Sequence, residues 1–194
     1  MRLIRAADCR RMPWRNGGGE TTEIAIHPPA SSLVDFDWRV SMARVEVNGP
    51  FSHFAGIDRT LAILDGGGMA LEIEGRWPVA LTVASAPLSF PADVATEASL
   101  IAGPITDLNV MSRRGRATHS VTRLPVGEWS EFVATAHATF ILCQMGSGRA
   151  TVDGQEYEIG RLDCLFIGAG GRVALRTTES GVFLKVEILQ TYPS

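Results

Sequence analysis

Thr60-Leu-Ala-Ile-Leu-Asp-Gly66-Gly-Gly68-Met-Ala-Leu-Glu-Ile-Glu-Gly75 reads as an apolar strand, a Gly-x-Gly turn, an alternating strand and a closing glycine. The same order returns in Thr139-Phe-Ile-Leu-Cys-Gln-Met-Gly146-Ser-Gly148-Arg-Ala-Thr-Val-Asp-Gly154. The two segments lie about 80 residues apart, the spacing of a duplicated small β domain. Short runs of strand character fill the rest, including 22–27, 38–47, 79–84, 99–102 and 105–111 in the first half. The second half continues with 118–124, 132–135, 162–167, 173–177 and 182–189. Gly, Pro, Asn and Asp punctuate these runs and no long segment keeps a helical period, so the chain is expected to be all-β. The repeat makes the expected architecture a double β-barrel. One barrel is expected over 1–115 and a second over 116–194, with strands free to exchange between the two.

The chain has 194 residues, of which 45% are hydrophobic and 20% charged, enough to bury a core in either one domain or two. A net charge of -3 supplies no basic field for a nucleic-acid backbone or an anionic membrane, so neither partner is expected. Cys9, Cys143 and Cys164 are odd in number and without Cys-x-x-Cys spacing, which argues against a disulfide framework and against structural zinc. Residues 1–15 lack the apolar core of a secretory signal, and no apolar run approaches the ~20 residues of a spanning helix. The expected setting is the cytoplasm. Lys185 is the sole lysine, so Schiff-base chemistry has one candidate, and arginine carries the remaining positive charge.

Pro13-Trp14-Arg15-Asn16-Gly17-Gly18-Gly19-Glu20-Thr21-Thr22-Glu23 places three glycines between a tryptophan and a polar strand. Three glycines imply a tight turn or a close backbone approach. Trp14 and Asn16 would then converge on Thr21 and Glu23, although a plain connecting turn accounts for the same residues. The stretch is no phosphate loop, because Glu20-Thr21 stands where that motif needs Lys followed by Ser or Thr. Asp107, Asn109 and Met111 alternate with Leu108 and Val110 and so share one strand face, as do Arg39 and Ser41. Asn109 could read an amide or formyl group, or satisfy loop backbone. Glu23 beside an arginine reads as an ion pair or as a general base, and His53 carries an imidazole able to act as acid or base; these are the two candidates for acid/base catalysis. Arg113 and Arg114 are expected to leave the barrel, as a solvated pair in preference to one of them bridging to an acidic loop.

Gly160-Arg-Leu-Asp163-Cys-Leu-Phe-Ile167-Gly-Ala-Gly170 resembles the second motif of the cupin superfamily, with Gly168 where cupins usually have proline and without the histidine that commonly follows. A metal-binding cupin needs a His-x-His…Glu set, because a divalent ion requires several converging ligands. Only His137 occurs in 129–148 and only His53 in 48–68, so the barrels are expected to hold no metal and no other cofactor.

Four separated motifs carry a more specific resemblance: Pro13-Trp-Arg-Asn-Gly-Gly-Gly, Asp37-Trp-Arg-Val-Ser41, Gly49-Pro-Phe-Ser-His-Phe-Ala-Gly-Ile-Asp-Arg59 and Gly103-Pro-Ile-Thr-Asp107-Leu-Asn-Val-Met-Ser-Arg-Arg114. Together they resemble the HutD/Ves family. Phe90-Pro-Ala-Asp departs from the Phe-Pro-Gly-Asp usual there, which puts the turn in question. The resemblance implies a metal-free bicupin of the cupin jelly-roll type and, for the HutD branch, an accessory or regulatory role in histidine utilisation through sensing of N-formylglutamate or a related intermediate. The Ves branch implies a stress-related interaction protein, and a metal-independent isomerase or hydrolase is the enzymatic alternative. With the resemblance in view, Arg59 becomes the expected anchor for a small carboxylate metabolite through paired hydrogen bonds, in preference to a salt bridge with Asp58 or Asp107. Asn16, Thr21 and Asn109 are its expected polar readers, with Trp14 and Met111 completing the pocket. Exposed barrel edges are compatible with a homodimer.

Overall fold

The computed structural model describes residues 1–124, 129–178 and 180–191. In chain order the strands are β1 (Arg2–Ile4), β2 (Arg10–Pro13), β3 (Gly19–His27), β4 (Trp38–Val45), β5 (Gly49–Pro50), β6 (Ile57–Asp65), β7 (Met69–Ile73), β8 (Val79–Leu81), β9 (Leu88–Pro91) and β10 (Thr96–Leu100). They continue as β11 (Ile105–Arg113), β12 (Ala117–Arg123), β13 (Trp129–Val133), β14 (Ala138–Met145), β15 (Gly148–Val152), β16 (Gln155–Ile159), β17 (Cys164–Gly168), β18 (Arg172–Thr177) and β19 (Val182–Gln190). One 3-10 turn, Ala6–Asp8, is the only helical element among the described residues.

Arg10–Thr118 forms one compact unit, and Met1–Cys9 with His119–Thr191 forms the other. The first unit holds a six-stranded sheet, β2-β3-β4-β11-β6-β9, and a four-stranded sheet, β5-β10-β7-β8. The second holds a five-stranded sheet, β1-β17-β14-β19-β12, and a four-stranded sheet, β13-β18-β15-β16. Adding eight to each strand number maps β4-β11-β6-β9 onto β12-β19-β14-β17 and β5-β10-β7-β8 onto β13-β18-β15-β16. The repeat seen in the hairpins 60–75 and 139–154 is therefore a repeat of whole-sheet topology. Relative to a division at 115/116, Met1–Cys9 goes with the second half, because β1 runs antiparallel along β17 with Leu3 opposite Leu165. Residues 192–194 of the expected second barrel lie outside the described residues.

Closed barrels are not what the pairing builds. Among the described residues each unit is a pair of separate sheets, and β8 and β9, of 3 and 4 residues, are too short to carry a ladder from one sheet to the other. Side chains join the sheets instead. In the first unit Leu61 and Ile63 of β6, Ala43 and Val45 of β4 and Ile105 of β11 pack with Met69, Leu71 and Ile73 of β7 and Ala98 of β10. In the second, Ile141 and Cys143 of β14 and Leu165 of β17 meet Ala150, Val152 and Leu175. Each set follows the two-residue period of a strand with one face on the core.

Strands β1, β2, β5, β9 and β16 have no counterpart among the runs read from sequence, and every one of them is a sheet edge. An edge strand satisfies only one side of its ladder within the sheet. Charged residues such as Arg10 and Arg11 of β2, or Pro91 at the end of β9, are then tolerated and erase the apolar signal.

Candidate functional site

The glycine stretch closes the β2–β3 hairpin. Trp14 N–H donates to the Gly19 carbonyl at 2.9 Å and Gly17 N–H to the Trp14 carbonyl at 3.0 Å. Gly17 sits at φ +69°, where a side chain is strained. Gly19 serves close approach: a Cβ there would collide with the Arg44 carbonyl oxygen and press on the Trp14 ring. Trp14 is thereby laid against β3, with its indole N–H donating to Thr21 Oγ at 2.8 Å. Asn16 Oδ1 is spent on the Gly18 N–H at 3.0 Å, so its amide N–H groups are what it has left to offer.

Strand register supplies the floor. Arg39 stands opposite Met111 and Met111 opposite Arg59; Ser41 stands opposite Asn109, and Ala43 opposite Asp107. All of these residues border a cavity of about 490 Å³ in the first unit, within the ~300–1,000 Å³ of small-molecule sites. The face that is apolar core at Leu61, Ile63 and Val45 thus becomes polar one row further along. Trp14, Asn16, Thr21, Arg59, Asn109 and Met111 all line this one cavity. Glu23 and His53 are not among its lining residues. Glu23 accepts from Arg39 Nε at 2.9 Å, and the exposed His53 contacts the Asp93 carbonyl at 3.0 Å.

Arg59 is 4% exposed and boxed by aromatic rings, its guanidinium carbon 4.8 Å from the Phe51 centroid, 5.6 Å from Phe54 and 5.9 Å from Phe90. One long hydrogen bond, 3.4 Å to the Ser52 carbonyl, engages Nη2, and Nε has no partner. Neither salt bridge considered for it forms: Asp58 is taken by Arg114 at 2.6 Å, and no contact within 4 Å links Arg59 to Asp107. Burial pulls the Arg59 pKa down to about 10, against the opposing pull of Asp107. Asp107 is fully buried. Its Oδ1 accepts from Asn109 Nδ2 at 2.5 Å and its Oδ2 has no partner. Desolvation pushes its carboxyl up to about 7, although Arg59, the Ala43 backbone and Asn109 all act in the opposite direction.

Asp107 is the functional group that residue-by-residue reading passed over, because an acid two residues from an asparagine on a strand looks like an ordinary ion-pair partner. Phe51 and Phe54 precede Arg59 closely in sequence, whereas only the fold brings Phe90 to it. Arg113 and Arg114 are not a solvated pair; the bridge to acidic residues that the sequence also allowed forms at Arg114. Arg113 donates to the Val34 carbonyl at 2.6 Å and the Phe36 carbonyl at 3.0 Å, and Arg114 bridges Asp58 and Asp93. Ala92 keeps an ordinary negative φ and is 4% exposed against Phe36, Ile57 and Met111, so the departure at Phe90-Pro-Ala-Asp leaves an intact turn. Cys143 and Cys164 are buried with their thiols pushed up by desolvation, Cys143 to about 11, which leaves them inert small hydrophobes.

A larger depression, about 680 Å³, lies in the second unit around Arg5, Arg149 and Glu158. There Arg5 is paired with Asp163 at 2.6 Å and Arg149 with Glu158 at 3.1 Å, so these cations already have partners. Among the described residues no three His, Cys, Asp or Glu side chains are grouped to hold a metal ion, and the cavity beside Arg59 offers one carboxylate and no imidazole. That donor set does not fit a divalent cation. No helix among the described residues is long and apolar enough to cross a membrane.

The fold and this cavity define a cupin-like β protein whose polar centre is an arginine and a carboxyl group rather than a set of metal ligands. Oxalate decarboxylase of Bacillus subtilis shares the fold, with a TM-score of 0.70 over 98% of this chain and 78% of that one at 9% identity. The chain belongs to the HutD/Ves family: the HutD family model matches residues 6–184. Protein Ves of Citrobacter koseri is 37% identical over 75% of this chain and 78% of its own length. A Pseudomonas putida protein described as lying in the hutC 3' region is 31% identical over 97% of both. The structure of HutD from Pseudomonas fluorescens, in a formate condition, superposes with a TM-score of 0.83 at 30% identity, covering 98% of this chain and 99% of that one.

Proposed function

We propose that the chain is a metal-free bicupin that binds a small carboxylate metabolite in its first unit and serves histidine utilisation in an accessory or regulatory role, sensing N-formylglutamate or a related intermediate. The observation that carries this reading is Arg59: a buried guanidinium on a cavity wall, with an unpartnered Nε and no carboxylate within salt-bridge distance. A buried cation without a partner is costly, and an incoming carboxylate offers two charge-assisted hydrogen bonds that a guanidinium fork matches. Trp14 and the phenylalanines supply apolar walls, and Asn16 and Thr21 supply polar contacts. The formate condition of the P. fluorescens HutD structure and the hutC-region description of the P. putida relative support both the ligand class and the pathway. Glu23, held by Arg39 away from the cavity lining, weighs against the isomerase or hydrolase alternative.

A thermal-shift screen with histidine, urocanate, N-formylglutamate, glutamate and formate tests the reading. A ligand at 100 times Kd should stabilise by about 2.7 kcal/mol, a shift of several degrees. A shift with a pathway carboxylate that is lost in Arg59→Ala supports it. The absence of any shift overturns it and favours the Ves-type interaction protein.

A further inference from the structure

We propose that Asp107 is a second ligand-binding group of the cavity and that it takes up a proton from solvent as a carboxylate docks on Arg59, so that anion binding is proton-coupled. The inference rests on the carboxylate-binding reading and adds to it a residue and a pH dependence.

Arg59 and Asp107 line the same cavity, and each keeps one buried polar atom without a hydrogen-bond partner, Nε of the first and Oδ2 of the second. Buried polar groups in native proteins are almost always hydrogen-bonded, so a pair of orphans on one cavity wall marks the positions a ligand completes. The pair is asymmetric. Arg59 can only donate, whereas Oδ2 accepts when the carboxyl is ionised and donates when it is protonated. The surroundings decide which form a bound anion meets. From β6 Asp107 is faced by Arg59. From β4 comes Arg39, whose Nε is already engaged by Glu23 of β3, and the β2–β3 turn adds Arg15 at the cavity edge. From the segment after β5 come Phe51, Ser52 and Phe54, which carry no charge. Arg59 is therefore the positive charge that Asp107 most depends on. A carboxylate that takes Arg59 removes that support and adds a negative charge nearby, and a like charge in a dehydrated site favours the neutral acid. Asp107 already sits near neutrality through desolvation. The proton goes to Oδ2, Oδ1 remains with Asn109, and the new O–H donates to an oxygen of the ligand. Ligands with a carboxylate and a second acceptor within reach, such as an N-acyl amino acid, satisfy both groups.

Calorimetric titration of the full chain with formate and with N-formylglutamate, in buffers of different ionisation enthalpy between about pH 6 and about pH 8, counts the protons exchanged. Proton uptake should approach one per ligand at the upper end and shrink at the lower end. Affinity should be flat below about pH 7 and fall about tenfold per unit above it. In Asp107→Asn, proton uptake and the pH slope of the affinity should both vanish. Wild-type binding with no proton uptake and no pH slope overturns the inference and leaves the carboxylate reading standing. No binding of either anion at any pH overturns both. If Asp107→Asn does not fold, the wild-type proton count decides alone.

Discussion

Asn109 donates its side-chain amide to Asp107 at 2.5 Å, two residues away on the same face of β11, and so holds in place the one buried acid of the cavity. The contact redefines Asn109. As a free amide it would read a ligand directly; with one N–H committed, it acts first as a clamp on Asp107 and offers only its remaining N–H and its oxygen. Asn109→Ala should leave the Asp107 carboxylate with the Ala43 backbone alone, cost about 1–3 kcal/mol in urea unfolding, and raise the Asp107 pKa further. Asn109→Asp should cost more at pH 8 than at pH 6, because two carboxyls would then share one dehydrated site.

Stability itself should depend on Asp107. Its folded pKa, about 7, lies above the ~3.9 of an unfolded aspartate, so the folded state binds the proton more tightly. The contribution of the neutral form is fully present below pH ~3.9 and is lost as pH rises through about 7, at up to ~1.4 kcal/mol per unit between the two values. Denaturant unfolding at several pH values should show this decline in the wild type and a flatter profile in Asp107→Asn. Identical profiles would remove Asp107 as the cause.

Much of the cavity could be read from sequence because alternation on a strand dictates which residues share a face. Asp107, Asn109 and Met111 on β11 are one such triplet and Arg39 and Ser41 on β4 one such pair, and antiparallel register then puts them side by side. The repeat of strand, Gly-x-Gly and strand likewise foretold the doubled topology. Other features depend on contacts between distant segments. Phe51, Phe54 and Phe90 surround Arg59 from outside its own strand, and Asp58, the preceding residue of β6, belongs to the opposite face, where Arg114 meets it from 56 residues further on. Barrel closure depends on whether edge strands are long enough to bridge two sheets, and edge strands have the weakest local signal.

The β2–β3 turn allows a ranking. Gly17 needs only a left-handed φ, with open space around a would-be Cβ. Gly17→Ala should cost on the order of 1 kcal/mol. Gly19→Ala drives a methyl into the Arg44 backbone and the Trp14 ring, so it should cost more than 3 kcal/mol or abolish soluble expression. Gly75, at φ +76° in open space on another turn, is the matched control and should behave like Gly17. Equal costs at Gly17 and Gly19 would mean that close approach of β3 to Arg44 does not set the hairpin.

Separating structure from chemistry at Glu23 is the last test. The Arg39–Glu23 pair is 2.9 Å apart with side chains 8% and 18% exposed, so removing one charge strands the other in a largely dehydrated place. Glu23→Gln should destabilise by a few kcal/mol, approaching the ~3–5 kcal/mol of a broken buried pair. Glu23 does not line the cavity but neutralises Arg39, which does, so Glu23→Gln should keep carboxylate binding and tighten it rather than lose it, once both proteins are measured well below their unfolding temperatures. Arg39 does line it, so Arg39→Gln should lose both stability and affinity. A Glu23→Gln protein of wild-type stability that had lost ligand turnover would reverse the assignment and make Glu23 the base of an enzyme.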